Sequence, residues 1–477
     1  MTVTSDPVSV DQRAWLDLLA TPDAADLLEV ALGADGARLG AWSVDRVHAR
    51  PGAEVTVGYD VVARRDVAAA PGATTRAVAE SPEYLLATTA DLPDGAAGPG
   101  VVRLADGPRV VHVWRHPADP LLPGLAAACD SAELTRRLRA AGERVDVESV
   151  EIVAYRPLRR AVLRARTTRG AVYVKVVRPD RVRSLVRRHV LLGGADRSRD
   201  VVVAPRCLTW SADGVVVLEE ERGRSLAQHL AAAAPGGRAT AIDPHALLRA
   251  LDELPAAATT LSRRPAWADR VERYARTAAE VHGLDPARTG RVARTVEAVG
   301  TRGLGPVVAT HGDFHAANIL LADDAAASGE VRVGVLLDVD TLGPGHRVDD
   351  LACVVAHLAV LPSLSPADYQ GVDGLVDRCL LAFDAVVDPA VVRARSAGVV
   401  LSLASGAATP ELAAAWLRVA EELAEAALAA GARRGTDATF SESSLIDGSS
   451  PSHVPPEDSG PDAAERSRTP RHEGEGS

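Results

Sequence analysis

The stretch THGDFHAANILL, Thr310 to Leu321, with Asp338 of the following LLDVDTLGPGHRVDDLA placed twenty residues after Asn318, decides how this chain is read. GPVVAT reads as a short strand entering an HGDFHAAN loop. NILL starts a second strand, and EVRVGVLLD returns after the turn-rich ADDAAASGE. Two antiparallel strands joined in this way set their first and last residues side by side. Asn318 and Asp338 are therefore expected at one point, with Asp313 one loop away.

A carboxamide and a carboxylate meeting at one point are hard oxygen ligands, suited to a magnesium ion that keeps some waters and grips phosphate oxygens. Asp313 is then left to accept a hydrogen bond from an attacking hydroxyl. Positioning, metal charge neutralisation and an orienting carboxylate are the parts that phosphoryl transfer requires.

The basic residues supply a further part. Of 53 lysines and arginines, one is lysine: Lys175, inside the strand-like AVYVKVVRP. A compact ammonium on a flexible stem reaches nucleotide phosphates from a strand floor, where the planar fork of arginine needs a different pocket.

Working outward, 477 residues with 47 % hydrophobic content are enough for two to three domains. No apolar run reaches the roughly 18 residues of a membrane span. LACVVAHLAVLPSL comes nearest and reads as a buried helix. Four scattered cysteines form no CxxC pair, so a reducing cytoplasm is the expected compartment. The net charge of -11 and the scarcity of aromatics argue against a nucleic-acid partner. Yet Tyr155–Arg199 holds fourteen basic residues against two acidic ones. Such a segment in an acidic chain suits a docked polyanion such as a nucleotide, and equally suits a solvated arginine-rich face.

Four regions differ in texture. Residues 1–145 mix alternating runs (VTVGYDVVA, VVRLADGPRVVHVW) with helical stretches; 146–222 read as strands around one helical pattern, DRVRSLVRRHVLL. Helices dominate 223–435, where Asp243–Pro244 is an N-cap pair, and 436–477 is a Ser-, Pro- and acid-rich tail with too little apolar surface to fold. RPGAEVTVGYDV at Arg50 resembles RPLRRAVLRART at Arg156, and VVHVWRHPAD resembles VYVKVVRPDR. The first region thus reads as a degenerate copy of the strand-rich one, with Trp114 in the place of the lysine. Two unrelated hairpins of similar alternation would look the same.

HGDFHAAN, LLDVD, the GPG turn and the DDLA that opens the next helix resemble the aminoglycoside phosphotransferase and choline kinase-like family, relatives of the protein kinases. The likeness covers about 150–430. It implies an α+β, bilobal protein kinase-like fold, with a small β-rich lobe at 146–222, a large helical lobe and an extra N-terminal α+β region. It implies ATP and Mg2+ as cofactors and a small-molecule hydroxyl as acceptor. Carried over, Asp313 is the catalytic base, Asn318 and Asp338 are magnesium ligands, and Lys175 contacts the α and β phosphates. Glu219 and Glu220, in LEEERGRSL, fall on the crossover whose backbone binds adenine. His311, Asp340 and Asp350 are supporting: His311 by holding the loop, Asp340 near the metal, Asp350 by bracing the loop or simply as an acid at a helix start. His315 faces either substrate or solvent.

Three departures stand out. RPLRRAVLRAR, not a glycine-rich loop, precedes Lys175, leaving phosphate cover to backbone and to Arg159 and Arg160 unless these are solvated strand residues. The helix after the lysine has no glutamate to pair with it, leaving His189, another group or Asp338 as its partner. His346 and Arg347 replace the Asp-Pro that often follows GPG in the family. The leading expectation is an ATP-dependent small-molecule kinase. The alternatives are a nucleotide-binding pseudokinase that serves as an interaction module, and a metal-dependent phosphohydrolase built on HGDFH.

Overall fold

The computed structural model describes residues 10–49, 54–67, 77–93, 95, 98, 100–193, 201–232, 242–322 and 331–443. Among them the chain builds a helix pair and a sheet, then repeats that plan, then becomes helical. Helices Val10–Leu19 and Ala24–Gly33 precede β1 (Arg38–His48), β2 (Thr56–Val67), β3 (Ala77–Thr88), β4 (Val101–Asp106) and β5 (Arg109–Arg115), ordered β1-β2-β3-β5-β4. Helices Leu125–Cys129 and Ser131–Ala140 precede β6 (Val147–Arg156), β7 (Arg160–Thr167), β8 (Gly170–Val177), β9 (Cys207–Trp210) and β10 (Val215–Glu219), ordered β6-β7-β8-β10-β9. All pairings within both sheets are antiparallel.

Alternation along each strand decides what each face meets. In β8, Val172, Val174 and Val176 point with Leu163 and Val217 to a core shared with Leu134 and Leu138 of the preceding helix. Asp130 caps that helix, accepting from the Ala132 and Glu133 N–H groups that its first turn leaves unpaired. Tyr173, Lys175 and Val177 therefore occupy the opposite face. There Val177, Val216 and Leu218 pack on Val182 and Leu185 of helix Pro179–Gly193. The first sheet encloses its own core of Leu19, Leu28, Leu32, Val57, Tyr59 and Val61.

The helical half is one continuous core running from Leu226 to Ala424. Capping agrees with the sequence at two starts. Ser225 and Gln228 form a reciprocal capping box, and Asp243 accepts from His245 ahead of Pro244. LACVVAHLAVLPSL lies in the helix Arg347–Leu364, which is buried along most of its length. No helix among the described residues is long and apolar enough to cross a membrane.

Two hairpins carry the loop that opened the reading. β12 (Ile319–Leu321) pairs antiparallel with β13 (Val333–Leu336), as expected; the intervening turn at 323–330 lies outside the described residues. β11 (Val307–Thr310) pairs with β14 (Gly343–His346). The GPG segment is therefore a strand rather than a turn. Gly345 is required there, since a Cβ would come within 2.5 Å of Thr310 Oγ1. The expectation missed β9, whose CLTW is too short to alternate visibly. Trp114 lies on β5, the counterpart of β10 in strand order, and so does not occupy the place of the lysine strand β8. The last helix runs Pro410–Ser443, eight residues into the expected tail; 444–477 lie outside the described residues.

Candidate active site

Lys175 has two carboxylate partners. Its Nζ donates to Asp338 Oδ1 at 2.7 Å and to Asp340 Oδ1 at 2.6 Å, joining the small-lobe strand to the loop after β13. Arg160, at the start of β7, approaches Asp340 Oδ2 at 3.7 Å from the same sheet. His189 does not hold the lysine: its Nδ1 meets the Pro205 carbonyl at 2.9 Å. Burial and the neighbouring Lys175 charge push this imidazole down to about 4, so it is neutral. Burial alone would raise Asp338, but the Lys175 ammonium holds it far below the usual carboxylate range. Asp340 is raised by burial and by the Asp338 charge beside it.

Asp338 has φ +53°, ψ +51°, a left-handed backbone that non-glycine residues adopt at some cost. This turns the chain out of β13 and lets Asp338 and Asp340 reach the same ammonium. Leu337 N–H donates to the Asn318 carbonyl at 2.8 Å, so Asn318 and Asp338 flank the open end of one hairpin.

The HGD loop is tied down from behind. Asp350, fully buried at the start of helix Arg347–Leu364, accepts from His311 N–H at 2.8 Å and from Gly312 N–H at 2.7 Å. Burial raises its carboxyl to about 7, against those two hydrogen bonds. Gly312 sits at φ +80°, pressed on Thr341, where a side chain has no room. His311 is entirely enclosed; Nε2 meets the Leu337 carbonyl at 2.9 Å and Nδ1 accepts from Asp313 N–H at 3.3 Å. Both nitrogens are engaged and burial lowers its basicity, so this histidine holds the loop as a neutral ring.

Asp313 presents its carboxylate beside Asn318 and His315. Asn318 Nδ2 donates to the Asp313 carbonyl at 3.0 Å and lies 3.4 Å from Oδ2, while His315 Nε2 lies 3.7 Å from Oδ2. Burial works against ionisation of Asp313, yet the neighbouring His315 holds it below the ordinary carboxylate range. His315 turns inward and stacks on His357, with ring centroids 4.2 Å apart. Cys353 and His357 come near Asp313 from the same helix, and burial lowers His357 to about 3. The sequence reading missed both. Asp350, Cys353 and His357 follow i, i+3, i+7 spacing, which puts them on one helix face beneath the loop.

The remaining expected residues divide by their contacts. Glu219 closes β10, with its side chain on Arg206 at 3.1 Å; Glu220 pairs with Arg164 at 2.9 Å. Their carboxylates are thus engaged with arginines, and a nucleotide contact at this crossover would fall to the backbone. Arg159, exposed in the turn between β6 and β7, pairs with Glu54 of the N-terminal region at 2.8 Å. His346 and Arg347 serve architecture, through the Gly305 carbonyl at 3.0 Å and Asp252 at 2.7 Å.

The strand-borne lysine and the carboxylate pair thus meet beside the HGD loop. Residues 158–378 match the model of the phosphotransferase enzyme family. Solved structures similar to it include an aminoglycoside phosphotransferase, APH(3'')-Id from Streptomyces rimosus, in complex with ADP and streptomycin. That pair is 22 % identical over 57 % of this chain and 97 % of the other, with a TM-score of 0.38. The GDP complex of aminoglycoside 2'-phosphotransferase-IIIa is 13 % identical over 62 % and 99 %, with a TM-score of 0.42. A choline kinase from Cryptosporidium parvum is 11 % identical over 61 % and 91 %, with a TM-score of 0.34. The comparison with curated proteins yields no match.

Proposed function

We propose that this chain transfers the γ-phosphoryl group of ATP to a hydroxyl of a small molecule, with Asp313 as the base. The observation that carries this reading is the meeting of Lys175 with Asp338 and Asp340, one loop from Asp313. Residues of both lobes converge on a point already suited to a cation. Lys175 would contact the α and β phosphates, and the carboxylate oxygens it holds here would then be open to a divalent ion. Asn318, through its carboxamide oxygen, and Asp338 would hold magnesium, with Asp340 beside them; that donor set of hard oxygens fits the ion. Bound there, magnesium neutralises charge on the phosphate oxygens. Arg160 adds positive charge from the β6–β7 hairpin. Asp313, ionised and held by Asn318 and the loop, orients the acceptor hydroxyl and takes its proton.

The pseudokinase reading drew on the missing helix glutamate. Lys175 has its partners on the metal-side loop instead, which favours turnover. An acidic large lobe favours a cationic acceptor. A screen of aminoglycosides, sugars and amino alcohols for magnesium-dependent ADP release tests the proposal. Stimulation by an alcohol, abolished in Asp313→Asn, is the expected result; no stimulation by any acceptor class, with nucleotide still bound, would favour the silent module.

A further inference from the structure

The turn between β6 and β7, RPLRR at Arg156–Arg160, contains no glycine, although it occupies the place where a phosphate-covering loop is expected. Leu158 nevertheless sits at φ +62°, one of two non-glycine residues with positive φ among those described. For a bulky residue such a conformation costs about 1 kcal/mol or more and persists where its surroundings enforce it. The enforcement comes largely from the N-terminal region. Asp119, 3 % exposed, accepts from Leu158 N–H at 2.8 Å and from Tyr155 O–H at 2.7 Å through Oδ2. Its Oδ1 accepts from Leu121 N–H at 2.9 Å and Leu122 N–H at 3.1 Å. One buried carboxylate therefore ties the segment after β5 to the hairpin of the second sheet.

Three further contacts act on the same turn. The Leu158 side chain is buried against Leu86 and Trp114 of the first sheet. Arg178 Nε donates to the Leu158 carbonyl at 2.7 Å, and Glu54 holds the neighbouring Arg159. The next residue, Arg160, is the one that reaches Asp340. A turn held on one side by the N-terminal region thus delivers an arginine into the site on the other.

We propose that the N-terminal region is a built-in clamp on the β6–β7 hairpin, with Asp119 and Leu158 as positioning residues that preset it for nucleotide phosphates. This inference rests on the phosphotransferase reading of the site. A glycine-rich loop orders when the nucleotide binds. Here the ordering is completed during folding, so its entropy is not charged against binding.

The test measures ADP affinity with magnesium by calorimetry, and amide hydrogen exchange over Arg156–Arg160, in the full chain. Asp119→Asn places an amide N–H2 among donors; Leu158→Gly keeps the positive φ and removes the anchor. Each is expected to weaken ADP binding about tenfold, the ordering cost of one or two side chains, and to speed exchange in the turn. Should Asp119→Asn fail to fold, Leu158→Gly decides alone. Wild-type ADP affinity in Leu158→Gly, or unchanged exchange in its turn, overturns the clamp. A wild-type chain that binds no ADP overturns the phosphotransferase reading instead, and the exchange data still report whether the hairpin is held.

Discussion

The two five-stranded sheets run in the same order, each behind a helix pair, and the same cross-strand row ends differently in each. In the second sheet Lys175 lies between Val162 and Val216, so its ammonium leaves an apolar row and finds the carboxylates of the loop after β13. Aligning RPGAEVTVGYDV with RPLRRAVLRART sets Thr56 on Val162. The row in the first sheet is then Thr56, Thr88 and His112. Thr56 and Thr88 meet hydroxyl to hydroxyl at 2.8 Å, so the two threonines pair within their own sheet, while His112 keeps Nδ1 buried without a partner. In the second sheet, helix Pro179–Gly193 separates the third strand from the edge strand; no helix is described between β3 and β4. One strand order can thus present a lysine to the loop after β13 or keep its hydroxyl pair within the sheet. The chemistry of a single row decides which.

The largest effect expected of any change is that of Asp313→Asn. Turnover should fall roughly 100-fold to 10,000-fold, the range of a positioned general base, with nucleotide affinity nearly unchanged. Steady-state rates beside a calorimetric titration check this, and unchanged turnover removes Asp313 from the mechanism. Asp338→Ala should abolish magnesium-dependent nucleotide binding. Wild-type affinity in magnesium would refute that ligand assignment.

Lys175→Arg tests the row directly. The fork cannot place one nitrogen between Asp338 and Asp340, and the rate should drop about 100-fold, as for loss of one preorganised donor. Full activity would make the lysine incidental. Thr88→Val, at the matching position, should do the reverse. It leaves the buried Thr56 hydroxyl short of a partner, for a loss of about 1–3 kcal/mol in denaturant unfolding, while kcat stays at the wild-type value. A fall in kcat without a fall in stability would break the contrast between the sheets.

A further predicted effect concerns acid. His189 and His357 have folded values near 4 and 3, below that of an unfolded imidazole. The unfolded chain therefore takes up their protons first. Their contribution is present above about pH 6.5 and is lost as pH falls toward 4, by up to about 1.4 kcal/mol per group per pH unit. His189→Phe should flatten the slope of stability against pH over this window, as measured by urea unfolding. An unchanged slope would show that the ring is protonated while folded.

Much of the site was legible because it is local. Asn318 and Asp338 sit at the two ends of a hairpin, and hairpin pairing follows from the alternation of NILL and VGVLL. The lysine announced itself by being alone among arginines. Its partners did not, because Asp338 and Asp340 lie 163 and 165 residues further along and meet it through the packing of two lobes. Asp119 gave no signal at all: an aspartate in a proline-rich loop reads as a turn former until its four donors are seen converging on it.

By itself, the sequence determined most of the strands and helices, the loop that carries Asp313 and the hairpin that brings Asn318 near Asp338, since these depend on periodicity and short-range hydrogen bonding. Tertiary structure decided what holds Lys175, why a leucine turns left-handed at the hairpin, and that His315 stacks inward on His357. Those outcomes depend on which surfaces bury one another. Burial couples residues far apart in the chain, with no spacing along it to record the match.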